Sequence, residues 1–278
     1  MTTMRRLVPA ILGVVLLANT LTSCEWPEGT RYVDQVFTEV EVTRGITYRS
    51  TTTYTGQPID LKLDIYEPVG DIAAERPVIM WMFGGYWQAG DRNQLAAYAD
   101  DSARRGYVAV TIDYRIRSQE GFELLPAAND AYEDTVAAIE WLQAHADDYG
   151  LDADAIVPAG YSAGAINALH ALHNPVDTPA AGAVAIAGMN FGPLRDGRGS
   201  TLSISGTGDT LVPHAISRDQ CAQSRSLGNG CRFIPIEGGT HLIGITHAPR
   251  IMEATADFVF ECILYPLGYR PEQLAPAA

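Results

Sequence analysis

Short apolar runs alternate with amphipathic segments along most of the chain. An early run, residues 61–66, alternates apolar and polar side chains, as a half-buried edge strand does. Later runs are more continuously apolar, which is typical of parallel strands covered on both faces. They comprise residues 78–82, 107–112, 154–159, 183–187, 201–205 and 232–236. Because helical patterns separate these runs, we predict an α/β fold with a mostly parallel central sheet flanked by helices.

The same pattern predicts one domain. Neither repeats nor charge blocks interrupt residues 36–264. A chain of 278 residues, 47% of them hydrophobic, is large enough to bury a full core. We expect the domain to end near residue 264 and to be followed by a C-terminal tail at 265–278.

The first 24 residues have the pattern of an export signal. A basic start precedes the apolar stretch 7–18, which is too short to span a bilayer comfortably. Residues 21–24 look like a bacterial lipobox in which Cys24 carries the lipid; an ordinary secretory signal cleaved nearby is the alternative. We therefore predict a signal peptide at 1–23 and a tether at 24–35. The protein would be exported and anchored through Cys24 to the bacterial cell envelope, on its periplasmic or extracellular face.

Candidate chemistry begins at residues 160–164, Gly-Tyr-Ser-Ala-Gly. This G-x-S-x-G pattern lies between a predicted strand and a predicted helix, where a sharp turn holds a serine hydroxyl out for attack. Glycines two positions on either side leave room for the backbone that such a turn brings close. Ser162 is the candidate nucleophile.

A serine nucleophile needs a base and a carboxylate that orients the base. Asp209 lies in a glycine-containing loop after the strand at 201–205, and His241 lies in the loop after the strand at 232–236. Because open α/β sheets build their sites at the carboxyl ends of the strands, we expect both residues to converge on Ser162. Glu237 is the alternative carboxylate, although it has to fold back sharply to reach His241.

Two further segments complete a resemblance to a known family. Residues 82–87, MFGGYW, follow one buried strand, and residues 111–115, TIDYR, follow another. With the serine turn and the Gly-Gly-x-His ending, they make the chain similar to α/β-hydrolases of the carboxylesterase and hormone-sensitive-lipase-like group, close to bacterial feruloyl-esterase-like enzymes. The resemblance covers residues 36–264. It implies the α/β-hydrolase fold and a serine esterase with a Ser-His-Asp acyl-enzyme mechanism.

The resemblance also implies an oxyanion hole. Similar esterases carry His-Gly-Gly-Gly after the buried strand, and position by position the backbone donors become those of Gly84, Gly85 and Ala163. This chain departs from the pattern twice. Phe83 replaces the histidine and cannot make its hydrogen bonds, and Tyr86 stands in place of the third glycine.

The substrate pocket is predicted from three aromatic residues beside these segments. Tyr86, Trp87 and Tyr161 offer faces on which an aromatic or sugar ring stacks, and ordinary packing is the alternative. Because no insertion of lid size separates the strand and helix patterns, we expect short acyl, aryl or acetylated-sugar esters rather than long-chain triglycerides. A serine peptidase, a non-catalytic hydrolase-like binding protein and a metal-dependent hydrolase are the alternatives.

Neither a metal nor a cofactor is predicted. His170 and His173 are one turn apart on a predicted helix. No cysteine or carboxylate cluster accompanies them in the sequence, so we interpret them as an ordinary helical pair.

Charge restricts the partners. The formal net charge is -14 at pH 7, with 33 acidic and 19 basic residues. Nucleic acid is therefore a poor partner, and a neutral small-molecule ester is the expected substrate. The sequence does not indicate the oligomeric state.

Cysteines of exported proteins commonly form disulfides. Cys221 and Cys231 flank a helix end and a turn. We predict a disulfide between them, which would brace the base of the loop that carries His241. Cys262 is then left as a buried thiol in an apolar helix; a bridge using Cys262 is the alternative.

Overall fold

The computed structural model describes residues 26–120, 122–173 and 180–272. Its strands are β1 (Val40–Thr52), β2 (Pro58–Pro68), β3 (Arg76–Met82), β4 (Val108–Ile112), β5 (Leu151–Tyr161), β6 (Gly182–Ile186), β7 (Ser200–Gly206) and β8 (Cys231–Ile236). They form one sheet in the order β1-β2-β4-β3-β5-β6-β7-β8. The pairs β1·β2 and β2·β4 are antiparallel, and the other neighbouring pairs are parallel. The predicted α/β class is confirmed.

Helices cover both faces of this sheet. They are α1 (Ala96–Arg104), α2 (Leu124–Ala144), α3 (Ala146–Tyr149), α4 (Ala163–His173), α5 (His214–Ser226), α6 (Ile243–Thr246), α7 (Ala248–Val259) and α8 (Tyr265–Leu267), with a 3₁₀ turn at Arg92–Leu95 and a π-helical turn at Phe260–Leu264. Along the part of the chain that the structure describes, none of them combines the length and apolar character needed to cross a bilayer.

The core explains why the central strands are apolar throughout. In β3, Ile79 and Trp81 join the cluster that contains α1 and α7 residues, whereas Val78, Met80 and Met82 join the cluster of α2 and α4 residues. Successive side chains of a strand point to opposite faces, so a sheet covered on both faces needs apolar residues at every position.

The edge strand β1 was not predicted. Of its residues only Tyr48 is buried, and the others are half-buried or exposed. A strand of this kind contains no apolar run, and its length follows from pairing with β2 rather than from burial.

Residues on both sides of the predicted domain 36–264 also contact it. Trp26 packs edge-on against Phe260 at 5.0 Å between ring centroids, and the buried side chains of Arg31 and Asp71 form an ion pair. The predicted tether at 24–35 is therefore docked on the domain from Trp26 onward, because its aromatic and charged residues find partners there.

The predicted tail at 265–278 is also docked as far as it is described. The hydroxyl of Tyr269 donates to the Asp152 carboxylate at 2.6 Å, and the carbonyl of Glu272 accepts from the Arg31 amide at 2.9 Å. The predicted signal peptide at 1–23 and Cys24 lie outside the described residues.

A disulfide joins Cys221 of α5 to Cys231, with 5.5 Å between the Cα atoms. Cys231 is the first residue of β8, whereas His241 follows the other end of that strand. The bridge thus fixes α5 to the start of β8, and its predicted position at the base of the His241 loop is corrected. Cys262 is a half-buried thiol, and burial raises its pKa.

Removing this disulfide should affect stability and spare catalysis. The bridge closes a loop with a sequence separation of 10. For a loop of this size, replacing Cys221 and Cys231 by serine should lower the free energy of unfolding by about 2–3 kcal/mol. Urea unfolding measures this loss. Loss of turnover in the folded double variant would contradict the position assigned to the bridge.

Candidate active site

Ser162 lies at the turn between β5 and α4 with a left-handed φ of 55°. Its amide donates to the Ile186 carbonyl of the neighbouring strand at 2.9 Å, which fixes the turn to the sheet. The flanking glycines are required by space. A Cβ on Gly160 would lie 2.4 Å from the Gly164 carbonyl carbon, and a Cβ on Gly164 would lie 2.1 Å from the Met82 oxygen. The turn therefore excludes side chains at both positions.

The three residues predicted to converge lie in one hydrogen-bonded chain. His241 Nε2 is 2.8 Å from Ser162 Oγ, and His241 Nδ1 is 2.8 Å from Asp209 Oδ2. The Asp209 side chain is fully buried, and the other carboxylate oxygen accepts from the amides of Leu211 and Val212 at 2.8 and 2.9 Å. The carboxylate is thus held rigidly toward the imidazole, with its charge compensated by hydrogen bonds.

Glu237, the alternative carboxylate, does not occupy this position. Its side chain is exposed at the start of the loop and accepts a hydrogen bond from the Thr207 hydroxyl at 3.4 Å. The carboxylate bonded to His241 is that of Asp209.

Tyr161 supports the histidine loop from below. Its hydroxyl donates to the His241 carbonyl at 2.7 Å, and its ring lies against Gly244, where a Cβ would be 2.8 Å from the ring. Burial, together with the charge of Asp209, raises the pKa of Tyr161 to about 12, so the hydroxyl keeps the proton that it donates. Tyr161 therefore both lines the cavity, as predicted, and holds the base.

The loop after β3 faces Ser162 across the cavity. Gly85, Tyr86 and Trp87 have successive φ values of 119°, 58° and 57°. A Cβ on Gly85 would lie 2.0 Å from the Ala89 oxygen, which explains the glycine. Within the described ranges, the amides of Gly85 and Tyr86 have no acceptor.

The remaining predicted oxyanion donors lie close by. Ala163 is the first residue of α4, where a helix leaves amide groups unpaired, and it lines the cavity. Gly84 lies just behind the cavity: a Cβ there would be 3.1 Å from Ser162 Cβ. Tyr86, which sequence reasoning did not consider as a backbone donor, lines the cavity in the place of the third glycine.

Aromatic stacking holds this loop where similar esterases have a histidine. Phe83 is buried and stacks on Tyr114, with ring centroids 4.0 Å apart and an interplanar angle of 8°. The Tyr114 hydroxyl also donates to the Phe83 carbonyl at 2.7 Å. Gly90 leaves the space that the phenyl ring fills, since a Cβ there would lie 2.4 Å from it. The departure at Phe83 is thus compensated by Tyr114.

A cavity of about 700 Å³ opens beside Ser162. The side chains around it are mostly apolar and come from loops and helix starts; besides the residues already described they are Leu124, Ile166, Met189, Phe191, Thr210, Leu211 and Val212. At the mouth, Tyr86 and Leu211 are 55% and 72% exposed. Sequence reasoning found only the three aromatic residues, because the others are scattered along the chain and share no local motif.

The histidine pair on α4 has ordinary partners. The His170 ring stacks on Tyr132 at 4.1 Å, and His173 Nδ1 accepts from the Arg195 amide at 3.3 Å. Burial lowers the pKa of His173 to about 4. Among the described residues, no group of three or more potential metal ligands occurs.

Known sequences are similar to the middle part of this chain. The family model BD-FAE matches residues 63–182, which include the loop after β3 and Ser162. Human carboxylesterase 5A is 31% identical over 125 residues, which are 42% of this chain and 21% of the relative. A probable carboxylic ester hydrolase of Mycobacterium tuberculosis, LipM, is 33% identical over 104 residues, which are 37% and 23% of the two chains. The matched region is thus about a fifth of these relatives' length.

Solved structures match nearly the whole fold. Propionate-bound esterase 2 of Thermogutta terrifontis has a TM-score of 0.68 and 25% identity, and the match covers 86% of this chain and 97% of that one. The same esterase phosphoramylated by tabun has a TM-score of 0.66 and 25% identity, with 80% and 94% covered. The chain is an α/β-hydrolase. Its matched segments are similar to those of carboxylesterases.

Proposed function

We propose that this protein is an exported serine esterase that hydrolyses small carboxylic esters through an acyl-enzyme on Ser162. The observation that carries the proposal is the unbroken hydrogen-bonded chain from Ser162 through His241 to Asp209. Its serine end opens on an apolar cavity. The backbone amides around the serine hydroxyl supply the remaining requirement, a site for a developing oxyanion.

In the first half-reaction, Ser162 Oγ adds to the ester carbonyl carbon while its proton passes to His241 Nε2. Asp209 stabilises the imidazolium that forms. The carbonyl oxygen becomes an oxyanion and accepts hydrogen bonds from the amide of Ala163 and from backbone amides of the segment Gly84, Gly85 and Tyr86. When the tetrahedral intermediate collapses, the ester C–O bond breaks, His241 returns the proton to the departing alkoxide, and the alcohol leaves.

In the second half-reaction, water takes the place of the alcohol. The water oxygen adds to the acyl carbon while His241 Nε2 accepts a proton from the water. The same amides donate hydrogen bonds to the oxyanion that forms. Collapse breaks the bond to Ser162 Oγ, which recovers its proton from His241. The carboxylic acid is released, and the free enzyme is regenerated.

The cavity favours short acyl and aryl groups. Aromatic rings form part of its wall: Tyr86, Trp87, Tyr161 and Phe191 line it, and the ring centroids of Trp87 and Phe191 are 5.7 Å apart. Such a surface binds apolar groups by contact and provides few charged partners. The Thermogutta esterase with bound propionate supports a short acyl group by similarity.

Export and anchoring through Cys24 remain part of the proposal. The disulfide between Cys221 and Cys231 supports an oxidising compartment, where such bonds persist. We expect metabolic lipid labelling to mark the wild-type chain and to leave a Cys24→Ser variant unlabelled. Labelling of neither chain would refute the anchor and leave the esterase proposal intact.

A substrate panel tests the proposed activity. We expect kcat/KM to be highest for p-nitrophenyl acetate and butyrate and about 100-fold lower for the palmitate ester, because the sequence shows no insertion of lid size that would cover a long acyl chain. Methyl ferulate and acetylated xylan test the aryl and sugar variants of the proposal. Activity confined to long-chain triglycerides, or faster cleavage of a chromogenic peptide than of any ester, would refute it.

A further inference from the structure

Two consecutive non-glycine residues of the oxyanion loop have a left-handed backbone. Tyr86 and Trp87 have φ values of 58° and 57°. Side chains with a Cβ disfavour this region, and strained residues persist only where the surrounding structure holds them. Since Tyr86 and Ser162 line the same cavity, whatever holds Tyr86 and Trp87 also positions the proposed oxyanion donors.

The side chain of Trp87 provides that hold. It is 1% exposed, and Nε1 donates to Asn167 Oδ1 at 3.0 Å. On the other side, the Trp87 carbonyl accepts from the Arg117 amide at 2.8 Å. The indole is therefore fixed both through its backbone and through its polar edge.

Asn167 is an unusual residue for its position. It is 1% exposed on α4, between the buried apolar residues Ile166 and Ala168. Its Nδ2 has no hydrogen-bond partner in the described part of the chain. An amide buried among apolar neighbours is unfavourable for packing alone, and the bond from its oxygen to Trp87 offsets that cost.

The bond joins the two halves of the oxyanion site. Trp87 belongs to the loop that carries the amides of Gly85 and Tyr86, whereas Asn167 belongs to the helix whose first residue, Ala163, carries the third amide. We propose that the Trp87–Asn167 hydrogen bond is a latch that sets the distance between these amides, and that Asn167 is a positioning residue for ester hydrolysis. This inference rests on the proposed function.

A similar hydrogen bond elsewhere in the core serves as a control that distinguishes the effect of the latch from a general loss of packing. Trp81 Nε1 donates to Ser102 Oγ at 3.1 Å, and both residues are buried in the cluster of α1 and α7. This bond has the same donor type and similar burial, and neither Trp81 nor Ser102 is among the residues that line the cavity. Its loss should lower stability and leave the chemistry unchanged.

The test compares Asn167→Leu, Trp87→Phe and the double variant with Ser102→Ala, using p-nitrophenyl butyrate. We expect kcat to fall about 10- to 100-fold in the latch variants, because small displacements of oxyanion donors are costly. KM of Asn167→Leu should stay within about twofold, since Asn167 does not line the cavity. The affinity for a boronic acid, whose adduct with Ser162 is tetrahedral, should fall in parallel with kcat. The double variant should be no slower than the slower single variant.

Thermal unfolding of each variant provides the control for folding. Ser102→Ala should lose stability and keep its kcat within about twofold. Full kcat in folded Asn167→Leu, or an equal loss of kcat in Ser102→Ala, would overturn the latch. If Asn167→Leu or Trp87→Phe does not fold, the kcat of the other variant tests the latch. Failure of the proposed function has a different signature, which is a wild-type protein without turnover of any ester.

Discussion

Replacing Ser162 by alanine should lower kcat for ester hydrolysis by about 10⁶-fold, because the nucleophile, the base and the carboxylate act as one unit. The substitution removes the atom that forms the acyl-enzyme and leaves the backbone of the turn unchanged. Since the amide of Ser162, rather than its side chain, is bonded to Ile186, the fold should be retained. The measurement is the initial rate with p-nitrophenyl butyrate, accompanied by circular dichroism.

The matched control for this variant is Ser226→Ala. Ser226 lies at the exposed end of α5, where its hydroxyl donates to the Gln223 carbonyl at 2.7 Å. Its activity should equal that of the wild type. Turnover of folded Ser162→Ala within about tenfold of wild type would show that another group carries the reaction.

Replacing Asp209 by asparagine should lower kcat by about 10⁴-fold. The carboxylate accepts the proton on His241 Nδ1 and so keeps Nε2 free to accept the proton of Ser162. An amide group facing Nδ1 favours the opposite tautomer, in which Nε2 carries the proton and cannot act as a base. A pH–rate profile and steady-state kinetics of the variant measure this loss.

Glu237→Gln is the matched comparison for Asp209→Asn, since it makes the same chemical change in the loop after the neighbouring strand β8. Glu237 is exposed and bonded to Thr207, so its variant should keep kcat within about twofold of wild type. If Glu237→Gln lost activity and Asp209→Asn kept it, Glu237 rather than Asp209 would be the carboxylate that orients His241.

Local patterns in the sequence predicted the parts of the molecule that depend on local constraints. The G-x-S-x-G turn is such a part, because the close approach of Gly160 to Gly164 and of Gly164 to Met82 leaves no alternative residue. The buried strands are another, because coverage on both faces requires apolar residues throughout. The approximate placement of Asp209 and His241 followed from the geometry of parallel strands.

Features that depend on distant partners could not be predicted. The docking of Trp26 needs Phe260, which lies at the other end of the chain. The role of Phe83 becomes clear only when Tyr114 is seen stacked on it. The role of Asn167 could not be predicted, because no residue near it in the sequence indicates that Trp87 lies within hydrogen-bonding distance. These contacts join residues far apart along the chain, and a single sequence carries no signal for them.

The most direct test of the central claim is the reaction of the native protein with a fluorophosphonate, followed by mass spectrometry of the intact chain and of its peptides. A serine whose hydroxyl is hydrogen-bonded to His241 and opens on a cavity should be phosphonylated stoichiometrically. The account predicts one adduct, located on Ser162 and absent after denaturation of the protein before treatment. An unmodified Ser162 in folded protein, or an adduct on a different residue, would contradict it.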